Sequence, residues 1–108
     1  MQTEKIIGTS TIPAIAALVR FRFANFLGGH ANAGQAVLGV PVSSFDIGEQ
    51  AGMATHGEIL VEAGAAFAVG VELESDATGR AILRTTGAFA GRARDASGAA
   101  GVFIRVLR

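Results

Sequence analysis

Two histidines and one aspartate are the side chains best suited to metal binding or acid–base chemistry. His30 and His56 are the only histidines among the 108 residues. Together with Asp46 they could ligate a metal ion, or act as a base with an orienting carboxylate. All three lie in or near predicted loops, and nothing in their spacing brings them together. We therefore interpret both histidines as surface residues of glycine-rich segments.

Other arrangements that carry chemistry are also incomplete. Ser43 and Ser44 could supply a nucleophile, but no nucleophile-elbow sequence surrounds either serine. Gly28–Gly29 lacks the strand, lysine and helix that form a phosphate-binding loop. Lys5, the sole lysine, lies near the N-terminus, whereas a swinging-arm carrier domain displays its lysine at a hairpin tip. The sequence predicts a protein that is not an enzyme, with no catalytic residue, cofactor or metal site.

Three acidic residues alternate along one segment. Glu72, Glu74 and Asp76 would lie on one face of a strand, where they could bind a divalent cation. Because apolar residues alternate with them, we interpret this face as the solvated side of a half-buried strand. Arg80, across a predicted turn, would offset the repulsion between the carboxylates.

The acidic residues belong to a strand that is one of several. From Phe67 to Glu74, large apolar side chains alternate with small or charged ones, which is the period of a β-strand. No segment shows a sustained helical period. We predict a single all-β domain, a small β-barrel or sandwich of about seven to eight short strands. The predicted strands cover residues 18–23, 36–42, 53–62, 67–74, 80–84, 88–94 and 102–107.

The N-terminal segment differs from the rest. Residues 1–17 have no clean periodicity beyond a short strand near 5–8, and we predict an extended N-terminal arm before a domain at 18–108. The apolar run of this arm is too short and too polar to span a bilayer, and an arm is favoured over a signal peptide. Four isoleucines could lie along a partner and add a strand to it, or could complete the protein's own sheet. These candidate partner or inter-subunit contacts are Ile6, Ile7, Ile12 and Ile15.

Composition limits the partners further. Nine basic and nine acidic residues cancel, and there is no Tyr, Trp or Cys. Nucleic acid binding normally requires a surplus of basic residues and benefits from stacking aromatics, so it is not expected. The absence of Cys suits a protein of the cytosol. Fifteen glycines and no cross-link leave a thin stability margin, which gives a motive for self-association.

The order of these segments resembles a known family. Residues 22–29 and 33–40 are similar to its N-terminal half, residues 60–65 and 71–81 to its most recognisable stretch, and residues 91–93 and 101–107 to its tail. This is the capsid cement, or head decoration, family of tailed bacteriophages and their prophages. The likeness covers residues 18–108 and consists of Gly/Ala turns and short strands.

The resemblance implies a structural virion protein. Such a protein would bind the exterior of an icosahedral phage head, cement neighbouring major capsid subunits and help the capsid withstand the pressure of its DNA. It would be made in the host cytoplasm and act as a small homo-oligomer, a dimer or trimer, with no membrane or nucleic acid partner. The alternative is a small β-barrel module that binds a ligand or a non-phage protein.

Overall fold

The computed structural model describes residues 4–108, and within that range it contains strands and no helix. No segment of this range is therefore a helix of the length and apolarity that crossing a membrane requires. The strands are β1 (Lys5–Pro13), β2 (Val40–Pro41), β3 (Gln50–Glu62), β4 (Glu72–Ser75), β5 (Ala81–Leu83), β6 (Gly91–Ala93) and β7 (Phe103–Leu107).

All seven strands belong to one antiparallel sheet. The strand order is β1-β3-β7-β6-β4-β5, and β2 pairs with β3 beside this path. One parallel bridge between Ala63 and Ala81 joins the end of β3 to β5, and the Gly64 amide donates to the Ala81 carbonyl at 2.7 Å. The prediction of an all-β domain is confirmed. The strands form one sheet that is not closed, in place of the predicted barrel or sandwich.

Strand β3 is the longest strand of the sheet, pairs with β1, β2 and β7, and changes its buried face along its length. Ala51 and Met53 contribute to one hydrophobic cluster, whereas Ile59 and Val61 contribute to the other. All four have odd numbers, so a regular strand would place them on one face. Gly57, at φ +123°, lies between the two pairs, where the β1–β3 register shifts. The irregularity shifts the alternation of side chains between the two faces of β3 by one residue. Odd-numbered residues therefore face one core before Gly57 and the other core after it.

Two cores result from this change of face. The larger is built on β3, β4, β6 and β7 and includes Phe23 from the long connection after β1. The smaller lies against the first half of β3 and contains Ala14, Leu18, Ala24 and Met53. Both cores use many alanines, so much of the packing depends on close approach of backbones. The connection between β1 and β2 is thus an integral part of the fold.

The strand predicted at residues 18–23 is wrong. Residues 20–22 form a turn and a bend, and Phe21 adopts φ +71°, in the left-handed region. The alternation of apolar residues at 19, 21 and 23 gave a wrong prediction because Phe21 packs outside the main core. Its ring centroid lies 5.0 Å from that of Phe103. Its carbonyl accepts a hydrogen bond from the Glu62 amide at 2.8 Å, which satisfies the edge of β3. The turn at residues 20–22 therefore lies beside the end of β3, where a strand was predicted.

The segment predicted as an arm contains the strand β1. Residues 5–13 pair with β3 from Lys5↔Glu58 to Pro13↔Gln50, so they form one edge of the sheet. Residues 1–3 lie outside the described part of the chain. The division at residue 17 into an arm and a domain stays a prediction.

Candidate interaction surfaces

The outer edge of β1 is unpaired within residues 4–108. Seven of its nine residues are exposed and none is buried, because the strand contacts the molecule mainly through its ladder with β3. Glu4 directly precedes β1. Its carboxylate accepts a hydrogen bond from the Leu60 amide at 2.9 Å and forms an ion pair with Arg20 at 3.3 Å. Glu4 therefore caps β3 where β1 begins. An exposed edge of this length can pair with another strand.

The four predicted contact residues lie in different environments. Ile7 is 78% exposed, Ile15 60% and Ile6 41%, whereas Ile12 is half-buried and packs against the smaller core. Ile7 also lines a shallow depression together with Lys5 and Leu107. Ile12 thus contributes to the protein's own packing, and the other three present apolar surface. A contact role for all four stays a prediction.

Sequence reasoning missed a second apolar surface, the turn at Phe26 and Leu27. Their side chains are 59% and 68% exposed. Asn25, which is buried, holds the turn: its side-chain oxygen accepts hydrogen bonds from the Leu27 amide at 2.9 Å and the Gly29 amide at 3.0 Å. Its side-chain nitrogen donates to the His30 carbonyl at 3.2 Å. The signal for such a turn was Asn25 with Gly28 and Gly29 three and four residues after it, since Asn side chains commonly close turns in this way.

The acidic residues do not form the predicted solvated face. Glu74 is only 5% exposed and accepts hydrogen bonds from the Thr85 amide at 3.1 Å and hydroxyl at 3.0 Å. Glu72 pairs with Arg84 at 2.9 Å. Burial opposes ionisation of Asp76, but hydrogen bonds donated by Arg80 and Thr78 outweigh it and lower the pKa of Asp76. Each carboxylate therefore has its own partners, and the expected pairing of Arg80 is with Asp76, at 3.2 Å.

A strong ion pair that sequence reasoning missed lies between Asp95 and Arg105. Both carboxylate oxygens of Asp95 accept hydrogen bonds from the Arg105 guanidinium, at 2.8 and 2.9 Å, and one also accepts from the Arg105 amide. These bonds outweigh the opposing effect of burial and lower the pKa of Asp95 to about 2. The pair fastens the loop before β7 to that strand.

The residues considered for metal or acid–base chemistry are not gathered into a site. His30 is half-buried; burial and the positive charge of Arg22 lower its pKa, and its Nδ1 atom has no hydrogen-bond partner. His56 is exposed, with its Nδ1 atom 3.0 Å from the Thr55 hydroxyl. Asp46 is exposed, and its amide donates to Glu49. In the range 4–108, no group of three or more His, Asp or Glu side chains is placed to hold a metal.

Comparison with known proteins identifies the family. The sequence model of the phage cement proteins matches residues 1–108. The chain belongs to the phage cement protein family. This confirms the resemblance drawn from the sequence and makes the chain a structural protein of a phage virion. No curated protein sequence gives a significant match.

A solved structure shares the fold of this cement protein. It is the crystal structure of the head fiber gp8.5 N base in bacteriophage phi29, with a TM-score of 0.74 and 21% sequence identity. The similarity covers 93% of this chain and 92% of that chain. At this identity the likeness shows a common fold, and the apolar edge and turn remain features of this chain's own sequence.

Proposed function

We propose that this cement protein binds the outer surface of an icosahedral phage head and cements neighbouring major capsid subunits. Membership of the cement family over the whole chain is the observation that carries this proposal. The structural neighbour is described as part of a phage head fiber, which also supports a place on a phage head. The role is structural and non-enzymatic, on the exterior of the virion, after synthesis in the cytoplasm of the bacterial host.

The exposed edge of the sheet supports an adhesive role. Strand β1 offers an unpaired edge with Ile6 and Ile7 exposed, and Ile15 follows just after it. A strand of a capsid subunit or of another copy can add to such an edge through backbone hydrogen bonds, with the isoleucines supplying apolar contact. Ile12 is half-buried against the smaller core and so helps to hold this strand on the molecule.

Cementing requires each bound unit of the cement protein to contact more than one capsid subunit. A small homo-oligomer, a dimer or a trimer, satisfies this because each copy provides one contact. Linked contacts raise overall affinity without any new interaction, since the second binding event becomes intramolecular. The net charge of zero suits association with a protein shell and disfavours a nucleic acid partner.

The experiment uses expanded heads of the encoding phage, prepared with the gene for this protein deleted. Purified protein is added back, and DNA release is followed during heating and dilution. We expect the protein to co-sediment with the heads and to raise the temperature of DNA release. Failure to bind, or equal survival of heads with and without the protein, would show that the proposed function is wrong.

A further inference from the structure

We propose that three adjoining loops form the surface that faces the capsid, with Phe26 and Leu27 inserted into an apolar pocket of the major capsid protein. This apolar loop cluster consists of Ile15, Phe26, Leu27 and Ile47. The inference rests on the proposed function and extends it by naming the anchor and the chemistry of its receptor.

Backbone hydrogen bonds bring the three loops side by side. The Ile15 amide donates to the Gly28 carbonyl at 3.1 Å, which joins the segment after β1 to the Phe26–Leu27 turn. The Gly48 amide donates to the Ala14 carbonyl at 2.8 Å, which joins the same segment to the loop that carries Ile47. Ile15 and Ile47 are 60% and 71% exposed. Four large apolar side chains therefore project from adjacent loops.

The turn that carries Phe26 and Leu27 is held rigidly. Besides the bonds of the Asn25 side chain, the Asn25 amide donates to the Gly29 carbonyl at 2.9 Å, which closes the turn. Gly28 has φ +97°, and a Cβ atom at this position would overlap the Pro13 carbonyl, so the turn lies directly against the end of β1. A rigid turn loses little conformational entropy when its side chains are buried by a partner. Exposed Phe and Leu on such a turn have the properties of an interface anchor.

Charged residues are unevenly distributed along the chain, and the segments that carry the cluster contain few of them. Residues 6–19 and 23–45 contain no Asp, Glu, Lys or Arg, and the loop of Ile47 adds only Asp46 and Glu49. In the rest of the chain, charged side chains form ion pairs with one another, as Glu58 does with Arg94 at 3.1 Å. The centres of protein interfaces are depleted in charged residues because their desolvation is costly. The apolar loop cluster therefore fits an apolar protein partner.

The shape of the cluster favours a capsid pocket over a second copy of this chain. A protruding turn buries most surface when it enters a recess. In the described part of the chain, a shallow recess beside β1 has the charged residues Lys5 and Glu58 in its lining together with Ile7 and Leu107. An uncharged Phe-Leu tip placed there would take Lys5 and Glu58 out of water without offering either charge a partner, which is costly. A stable interface buries about 800 Å² on each partner, and two facing tips would cover far less.

The test compares three forms of the full-length protein in binding to expanded heads that lack it. They are the wild type, the double variant Phe26→Ser/Leu27→Ser, and the control Val69→Ser/Phe89→Ser, which alters two residues that are 61% and 48% exposed on other loops. Affinity is measured by co-sedimentation, and oligomeric state by light scattering. Circular dichroism and the unfolding midpoint report the integrity of each fold.

We expect the double variant to bind at least about 30-fold more weakly, the effect of losing one strong anchor. The control should bind like the wild type, and all three forms should share one fold and one oligomeric state. If the double variant binds like the wild type, the anchor is wrong while the cement function stands. If its oligomeric state changes, the turn is a contact between copies and the inference is also wrong. If no form binds, the proposed function fails and the inference fails with it.

Discussion

The substitution Gly57→Ala tests how β1 is attached to the sheet. Gly57 has φ +123°, a conformation that side chains rarely adopt. A Cβ atom at this position would overlap the Lys5 carbonyl and approach the Ile7 amide nitrogen to 2.9 Å. Both contacts lie on β1, opposite the irregularity that redirects β3. The substitution should therefore strain the junction of these two strands.

The expected loss follows from two contributions. The unfavourable backbone conformation costs about 1–3 kcal/mol. Crowding at a packed position costs about 1–3 kcal/mol more. Their sum, about 2–6 kcal/mol of unfolding free energy, corresponds to a fall of at least about 8 °C in melting temperature for a domain of this size.

Two control variants separate these contributions. At Gly70, with φ +83° and no neighbour within 4 Å, alanine meets only the conformational cost; at Gly98, in open space, it meets neither. Urea unfolding should rank the variants Gly98→Ala, Gly70→Ala and Gly57→Ala in order of increasing loss. Amide exchange should rise selectively along β1 in the last of them. If Gly57→Ala is as stable as Gly98→Ala, or if β1 exchanges as slowly as in the wild type, our account of this junction is refuted.

Three further predictions concern single side chains. The pKa of His30 is lowered in the folded protein, so the unfolded chain binds more protons at mildly acidic pH. The free energy of unfolding should therefore fall as the pH drops below about 6.5. His30→Gln should reduce this loss in unfolding titrations between pH 7.5 and 5. The pKa of Asp95 is lowered to about 2, so its contribution should be complete above about pH 4 and be lost as the pH falls towards 2; Asp95→Asn should lower the urea midpoint at pH 7, and an unchanged midpoint would contradict the role given to its pair with Arg105. Asn25→Ala should cost about 1–3 kcal/mol of unfolding free energy because it leaves the buried Gly29 amide and the partly buried Leu27 amide unpaired. It should also speed amide exchange at Leu27, whereas protection equal to the wild type would show that the turn is held by other contacts.

The segments with sustained alternation were predictable from the sequence. Residues 53–62 fall within β3 and residues 102–107 contain β7, because both strands bury branched apolar residues on one face. The predicted strand at 67–74 was too long: only its end belongs to β4. Phe67 makes an isolated bridge to Ser97, and Val69 is 61% exposed. Alternation alone could not reveal that a loop occupies the first half of this segment.

Other features depended on contacts between distant residues. Strand β1 contains Thr, Ser and Pro residues and buries no face, so its pattern gives no periodic signal; pairing with β3 makes it a strand. Glu74 appeared solvated by alternation, but it is buried beside Thr85 of the following loop. The Phe26–Leu27 turn was part of the family resemblance, yet its exposure became apparent only when the packing around Asn25 was known.

The most direct test of the cement role is a pair of cryo-electron microscopy reconstructions of expanded heads, one with this protein and one without it. We expect additional density on the outside of the shell that contacts at least two neighbouring major capsid subunits and fits the single-sheet domain. The Phe26–Leu27 turn should point towards the shell. Identical reconstructions, or density that touches only one subunit, would contradict the claim that this protein cements the capsid.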